Sequence, residues 1–208
     1  MHKSKVIVIL LMLVTALAVI GSVSASAKCS CCKKQATAVK KQKMTNADKL
    51  ALIDKYQEQY FAIVKRNDIL LNFEDSSVLK KDRKELKKLF TEVKKQITNK
   101  QYLKKYNEIE KHYAVCDEIT TTGINDFSQK NYDEVEGLLN AVYKDVQSKI
   151  SQDDFKKLVL SEKKWIKDVQ NYKKVYDSMD FGTIGTSIYL DYQTDMSKFR
   201  ALLLMLYL

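Results

Sequence analysis

FKKLVLSEKKWIKDVQNYKKVYDSM, Phe155 to Met179, is the stretch that decides the fold. Taken at steps of three and four it reads Phe155, Leu158, Glu162, Trp165, Val169, Tyr172, Tyr176, Met179. All but Glu162 are large and apolar or aromatic, and that step is one face of an α-helix. Lys156, Lys157, Lys163, Lys164, Lys167, Lys173 and Lys174 fall between them as a solvated face. Trp165, the only tryptophan of the chain, sits mid-stripe. The pattern predicts a core anchor, largely buried against the fourth and sixth helices. Glu162 is the exception on the apolar face. A carboxylate there must find donors, lie at the stripe's edge or stay protonated.

The same periodicity recurs on both sides. Thr45 with Asp48 marks a capping box, and the helix it opens, to about Asn67, carries Ile53, Tyr56, Tyr60, Ile63 and Val64. A second helix starts at Ser76 or Ser77 with Leu79, Leu86, Phe90, Val93 and Ile97 inward and Asp82 interrupting. The third is predicted over Lys100 to Ile119, with Tyr102, Tyr106, Ile109, Tyr113 and Cys116 inward. TTTGIN, 120–125, reads as a loop, and a fourth helix runs from about Gln129 to Ile150 with Tyr132, Val135, Leu139, Val142 and Val146. Ser151 caps the fifth, with Asp154 as its partner acid. FGTIGTS, Phe181 to Ser187, reads as a glycine-bearing loop before a last helix, Asp191 to Leu208. With no Pro and 5 Gly in 208 residues, the expected fold is all-α. It is a bundle of five or six antiparallel amphipathic helices built from helical hairpins. Leu86, Phe90, Val93, Ile97 and Tyr102 align with Leu139, Tyr143, Val146, Ile150 and Phe155. This is a faint repeat that any two amphipathic hairpins of equal length would also show.

Met1 to Ala27 has the plan of a secretory signal peptide: Lys3 and Lys5, an apolar run from Val6 to Ile20, and Ala25-Ser26-Ala27. An uncleaved anchor is the rival, and the membrane enters otherwise only by surface contact. The expected location is outside the cytosol: secreted, periplasmic or on the envelope. Cleavage removes two Lys and no acid, taking the formal net charge from +10 to +8. For an exported chain that charge points to anionic envelope polymers or lipid headgroups rather than nucleic acid. Residues 28–44 form a basic linker carrying Cys29, Cys31 and Cys32. Export permits disulfides, and three local thiols fall short of the four ligands of a zinc site. Division of the rest places a helical region at 45–124 and a second at 125–208. Its one remaining histidine, His112, lies in no metal motif, and neither a nucleophile elbow nor a phosphate loop occurs. No catalytic residue, metal or cofactor is assigned, and a binding protein is expected rather than an enzyme.

Several residues of the second region form a recognisable series. Leu139-Asn140 and Tyr143 are followed by Leu158, Glu162 and Trp165-Ile166, then by Gly182, Gly185, Thr186 and Ser187, and finally by Ser197, Arg200 and Ala201. In order and spacing, residues 125–208 resemble the N-terminal domain family of LprI-type lysozyme inhibitors. The resemblance implies an exported helical domain that binds a lysozyme-like enzyme. Its motif would be Leu139, Asn140, Tyr143, Leu158, Glu162, Trp165 and Arg200. Its binding loop would be Gly182, Thr183, Gly185, Thr186 and Ser187. The family commonly has Gln where this chain has Glu162, Arg where it has Val169, and a cysteine pair linking the Trp helix to the segment after the glycine loop, where this chain has no Cys after Cys116. A basic lysozyme would be repelled by the net charge, so an acidic patch at Asp177, Asp180, Asp191 and Asp195 is the expected complement. Glu162 is expected to pair with Arg200.

Overall fold

The computed structural model describes residues 44–70, 76–177 and 181–208, and side chains over 44–66, 80–174 and 181–208. The leader, the linker with Cys29, Cys31 and Cys32, and the side chains of Leu79, Tyr176, Asp177, Met179 and Asp180 lie outside these. Within the described residues there are six α-helices and no strand. They are α1 (Asn46–Leu70), α2 (Ser76–Gln96), α3 (Lys100–His112), α4 (Thr121–Lys149), α5 (Gln152–Asp177) and α6 (Gly185–Leu204). A 3₁₀ turn, Gly182–Ile184, precedes α6, and another, Met205–Tyr207, follows it.

α1 and α5 start at the expected caps, and α3 is capped one residue on from Thr98, by Asn99. The Asp48 amide donates to Thr45 Oγ1 at 3.1 Å and the Thr45 amide donates to Asp48 Oδ2 at 2.9 Å, which closes a reciprocal box. Asn99 accepts from the Gln101 and Tyr102 amides to open α3. Ser151 accepts from the Asp154 amide at 3.1 Å to open α5.

The last helix begins at Gly185 rather than Asp191 and gives way to a 3₁₀ turn after Leu204, and the α3–α4 junction also differs from the sequence reading. α3 stops at His112 instead of running to Ile119, and Cys116 is exposed rather than inward. Val115, Ile119 and Thr120 are β-branched and disfavour helix. Ile119 is 94% exposed, so its place in the apolar step has no packing behind it. Thr120 instead accepts from the Gly123 amide at 3.1 Å and starts α4 there. TTTGIN is thus a cap and first turn, not a loop.

α6 is the helix around which the rest assembles. Phe199 and the run Ala201 to Tyr207 are all buried. A segment buried on every side, as the C-terminal part of α6 is, is driven to the centre, whereas amphipathic helices cover it. α6 packs chiefly along α4, with α1, α2 and α5 also against it. The Tyr60 ring of α1 stacks on Phe199 with centroids 4.5 Å apart, and Phe90 of α2 meets Phe199 at 4.9 Å. The α1 stripe of Ile53, Tyr56, Tyr60, Ile63 and Val64 is buried throughout, as are Val135, Leu139, Val142 and Val146 of α4. Asp82, the polar interruption on α2, is buried and accepts from Arg66 Nη2 of α1 at 3.0 Å. That partner offsets what an isolated buried carboxylate would cost.

Tyr207 closes the chain against α1, where Lys49 Nζ donates to its carbonyl at 3.0 Å. Burial, then the nearby Asp154 charge, pushes its phenol up to about 12 from an ordinary 10.0. The native fold therefore favours the protonated phenol. That contribution is whole below pH about 10 and is lost as pH rises through about 12. Tyr207→Phe should lose stability less steeply than wild type over that window, measured by denaturant titration at stepped pH. Leu202→Ala in the centre should cost about 2–5 kcal/mol in urea unfolding, against less than about 0.5 for Leu160→Ala on the surface.

Candidate binding groove

α4 and α5 are joined by the short Ile150-Ser151 connection, and beside it Tyr143 and Phe155 meet with ring centroids 5.6 Å apart. Beyond that contact a groove of about 430 Å³ opens between the two helices, with α6 behind it. α4 contributes Tyr132, Glu136, Leu139, Asn140 and Tyr143. These are steps of three and four, hence one helical face. α5 contributes Glu162, Trp165, Ile166, Val169 and Gln170 by the same rule. Gln193 and Ser197, one turn apart, come from α6.

Trp165 packs against the core as its stripe suggests, but it is less enclosed than a central anchor because it also walls the groove. It is half-buried on the groove wall. α5 packs on α1 and α6 rather than closing along α4, so the indole keeps an open side. Beneath it lies Arg200, fully buried, with its guanidinium carbon 5.9 Å from the indole centroid.

Arg200 is held from α5 and α1. Its Nε and Nη2 donate to Glu162 Oε1 at 2.9 and 2.6 Å. Nη1 donates to Gln57 Oε1 on α1. Nη2 also donates to Ser161 Oγ at 3.1 Å, and that hydroxyl donates onward to Asp54 Oδ1 at 2.7 Å. Three helices are thus tied through one cation, and the carboxylate on the apolar face of α5 has the donor it requires.

The motif residues come together in part. Leu139, Asn140, Tyr143, Glu162 and Trp165 line the groove, Arg200 lies under it, and Leu158 is fully buried in the core. The glycine-bearing segment does not line it. Gly182 has φ 58°, a left-handed conformation that favours glycine. Gly182, Thr183 and Ile184 are exposed in the 3₁₀ turn, but Gly185, Thr186 and Ser187 already belong to α6. Ser187 is buried and donates to the Ile184 carbonyl at 2.9 Å. The open loop of the sequence reading is thus mostly a helix start. Asp191 and Asp195 are exposed one turn apart on α6.

Glu136, Gln170 and Gln193 were not singled out by sequence, and Tyr132 was read only as part of the α4 stripe. Glu136 accepts from Ser197 Oγ at 2.5 Å across α4 and α6. Its signal was available: it lies three before Leu139 and seven before Tyr143, on the motif's own face. The phenols of Tyr132 and Tyr143 are both raised, first by burial and then by the neighbouring Glu136 and Glu162 charges respectively. Both stay neutral hydrogen-bonding groups at ordinary pH. His112 stacks on Tyr113 at 4.5 Å and is exposed, away from the groove lining. Among the described residues no cluster of His, Cys, Asp and Glu is placed to hold a metal ion.

The Arg200 linkage has a measurable consequence. Arg200→Gln should destabilise by about 3–5 kcal/mol, because Glu162 is left nearly buried without its cation. Glu162→Gln should cost less, since an amide oxygen still accepts. Urea unfolding of both singles and the double should give a coupling of about 0.5–3 kcal/mol. Additive losses would contradict the geometry.

No curated protein and no solved structure matches this chain. The family model described as Lysozyme inhibitor LprI does, over residues 116–204. That span takes in α4, α5, α6 and all the groove-lining residues, so it is the groove-bearing part of the chain that is similar to the LprI lysozyme inhibitor family.

Proposed function

We propose that this chain is an exported helical binding protein that engages a peptidoglycan-cleaving enzyme of the lysozyme class and shields the cell wall from it. One observation carries the reading. Of the motif residues Leu139, Asn140, Tyr143, Leu158, Glu162, Trp165 and Arg200, which lie on three helices, five line one groove inside the span that the inhibitor family matches. The N-terminal leader supports export. Among the described residues no helix is long and apolar enough to cross a membrane. A half-buried tryptophan beside tyrosines and a buried arginine is the residue mix on which binding energy concentrates.

The test is turnover of cell-wall substrate by several lysozyme classes with the purified protein added. At least one class should be slowed in proportion to the protein, and unchanged rates with every class would remove the reading.

A second reading has its own support. Lys80, Lys81, Lys84, Lys87, Lys88 and Lys95 on α2 and Lys100, Lys104, Lys105 and Lys111 on α3 are all exposed. Such a face suits an anionic envelope polymer or lipid, making the chain a structural or adhesive component. Pelleting with cell walls should then fall as salt rises, because exposed charges are screened over about 10 Å at 0.1 M salt. Salt-insensitive pelleting, or none, would exclude it.

A further inference from the structure

We propose that the groove between α4, α5 and α6 receives a cationic side chain, arginine or lysine, presented by a basic protein partner. The inference deepens the lysozyme-binding reading and rests on it only for the partner's identity.

The charge pattern comes first. The chain has 36 Lys and Arg against 26 Asp and Glu, yet among the described residues no Lys or Arg lines the groove. Two carboxylates do, Glu136 and Glu162. Glu162 is neutralised from below by Arg200 at 2.6 Å. Glu136 has only the Ser197 hydroxyl, and among the described residues no cation lies within ion-pair range of it. The groove is therefore a locally negative place on a positive protein. Opposite charge at the point of contact is what a net-positive binder of a basic enzyme requires.

The walls come second. Trp165, Tyr132 and Tyr143 present aromatic surface around that carboxylate. Aromatic rings attract a guanidinium or ammonium, more strongly when water is excluded. Trp165 already has one guanidinium near it, that of Arg200 at 5.9 Å. The volume, about 430 Å³, lies in the range of roughly 300–1,000 Å³ typical of sites for small ligands and fits the end of one long side chain with its neighbours. Asn140, Gln170 and Gln193 supply amide oxygens for the remaining N–H donors.

Trp165 is the only tryptophan, so its fluorescence reports groove occupancy directly. The protein is titrated with a capped Gly-Arg-Gly peptide, with the same peptide carrying neutral citrulline, and with chitotetraose. The arginine peptide should change the emission saturably and the citrulline peptide should not. Glu136→Gln, which keeps an acceptor for Ser197, should weaken the arginine response about tenfold, the scale of a partly desolvated ion pair and cation–π contact. Gln170→Glu, at an exposed position on the rim, should strengthen it. An equal response to citrulline, a response unmoved by both substitutions, or no response to the arginine peptide would overturn the proposal. A response to chitotetraose alone would overturn it in favour of a saccharide site. Lysozyme assays on the same variants separate the two readings. If wild type and Glu136→Gln inhibit equally, the cation site falls while inhibition stands. If no lysozyme is slowed but the arginine peptide still fills the groove, the inhibitor reading falls and the site stands.

Discussion

A single buried cation holds the arrangement. Arg200 has no exposed side-chain surface, yet it sits where three helices converge. A charge in that position is tolerable only if all its surroundings are fixed to receive it. Glu162, Gln57 and Ser161 must each be in place, and Ser161 in turn is held by Asp54. The network thus sets the rotation of α5 and α1 about α6. Apolar packing alone would leave that rotation less well specified, since Leu and Val faces tolerate repacking. The link between α5 and α6 is ionic in a chain with no cysteine after Cys116.

Much of this was legible in the sequence. Caps at Thr45 and Ser151 and the stripes of α1, α4 and α6 are local signals, and local signals survive folding. The pairing of Glu162 with Arg200 was legible too, because a carboxylate on an apolar face demands a donor and only one arginine follows it in the chain. The misses have a common cause. Periodicity says which face of a helix is apolar, not how closely two such faces approach. Trp165 continues a stripe, but α4 and α5 diverge beside it, so the stripe borders a groove. Cys116 continues another stripe on paper, past the point where β-branched residues and a threonine cap end the helix. Glu136 went unremarked because a lone glutamate on a helix is usually solvated. Only the packing of α6 against it shows that it is set among aromatic rings.

The charge distribution separates two surfaces with different uses. Lysines crowd α2, α3 and the face of α5 turned away from the groove, where their stems cover the core and their heads stay in water. The groove within 116–204 is built from aromatic, amide and acidic side chains. Long-range attraction and local recognition are thereby assigned to different faces, and changing the lysines should alter encounter more than fit.

The position of α6 at the end of the sequence bears on how the chain is made. α1, α2, α4 and α5 all pack on a helix that follows them in the chain. As α1 to α5 emerge they have amphipathic faces and no centre to cover, and α5 lacks the cation that Glu162 needs. Domains generally settle as units once their chain is available, and here the unit is incomplete until its final twenty-odd residues arrive. Folding of α5 is therefore coupled to that of α6 through Arg200, and the buried charge on either helix is satisfied only when both are in place.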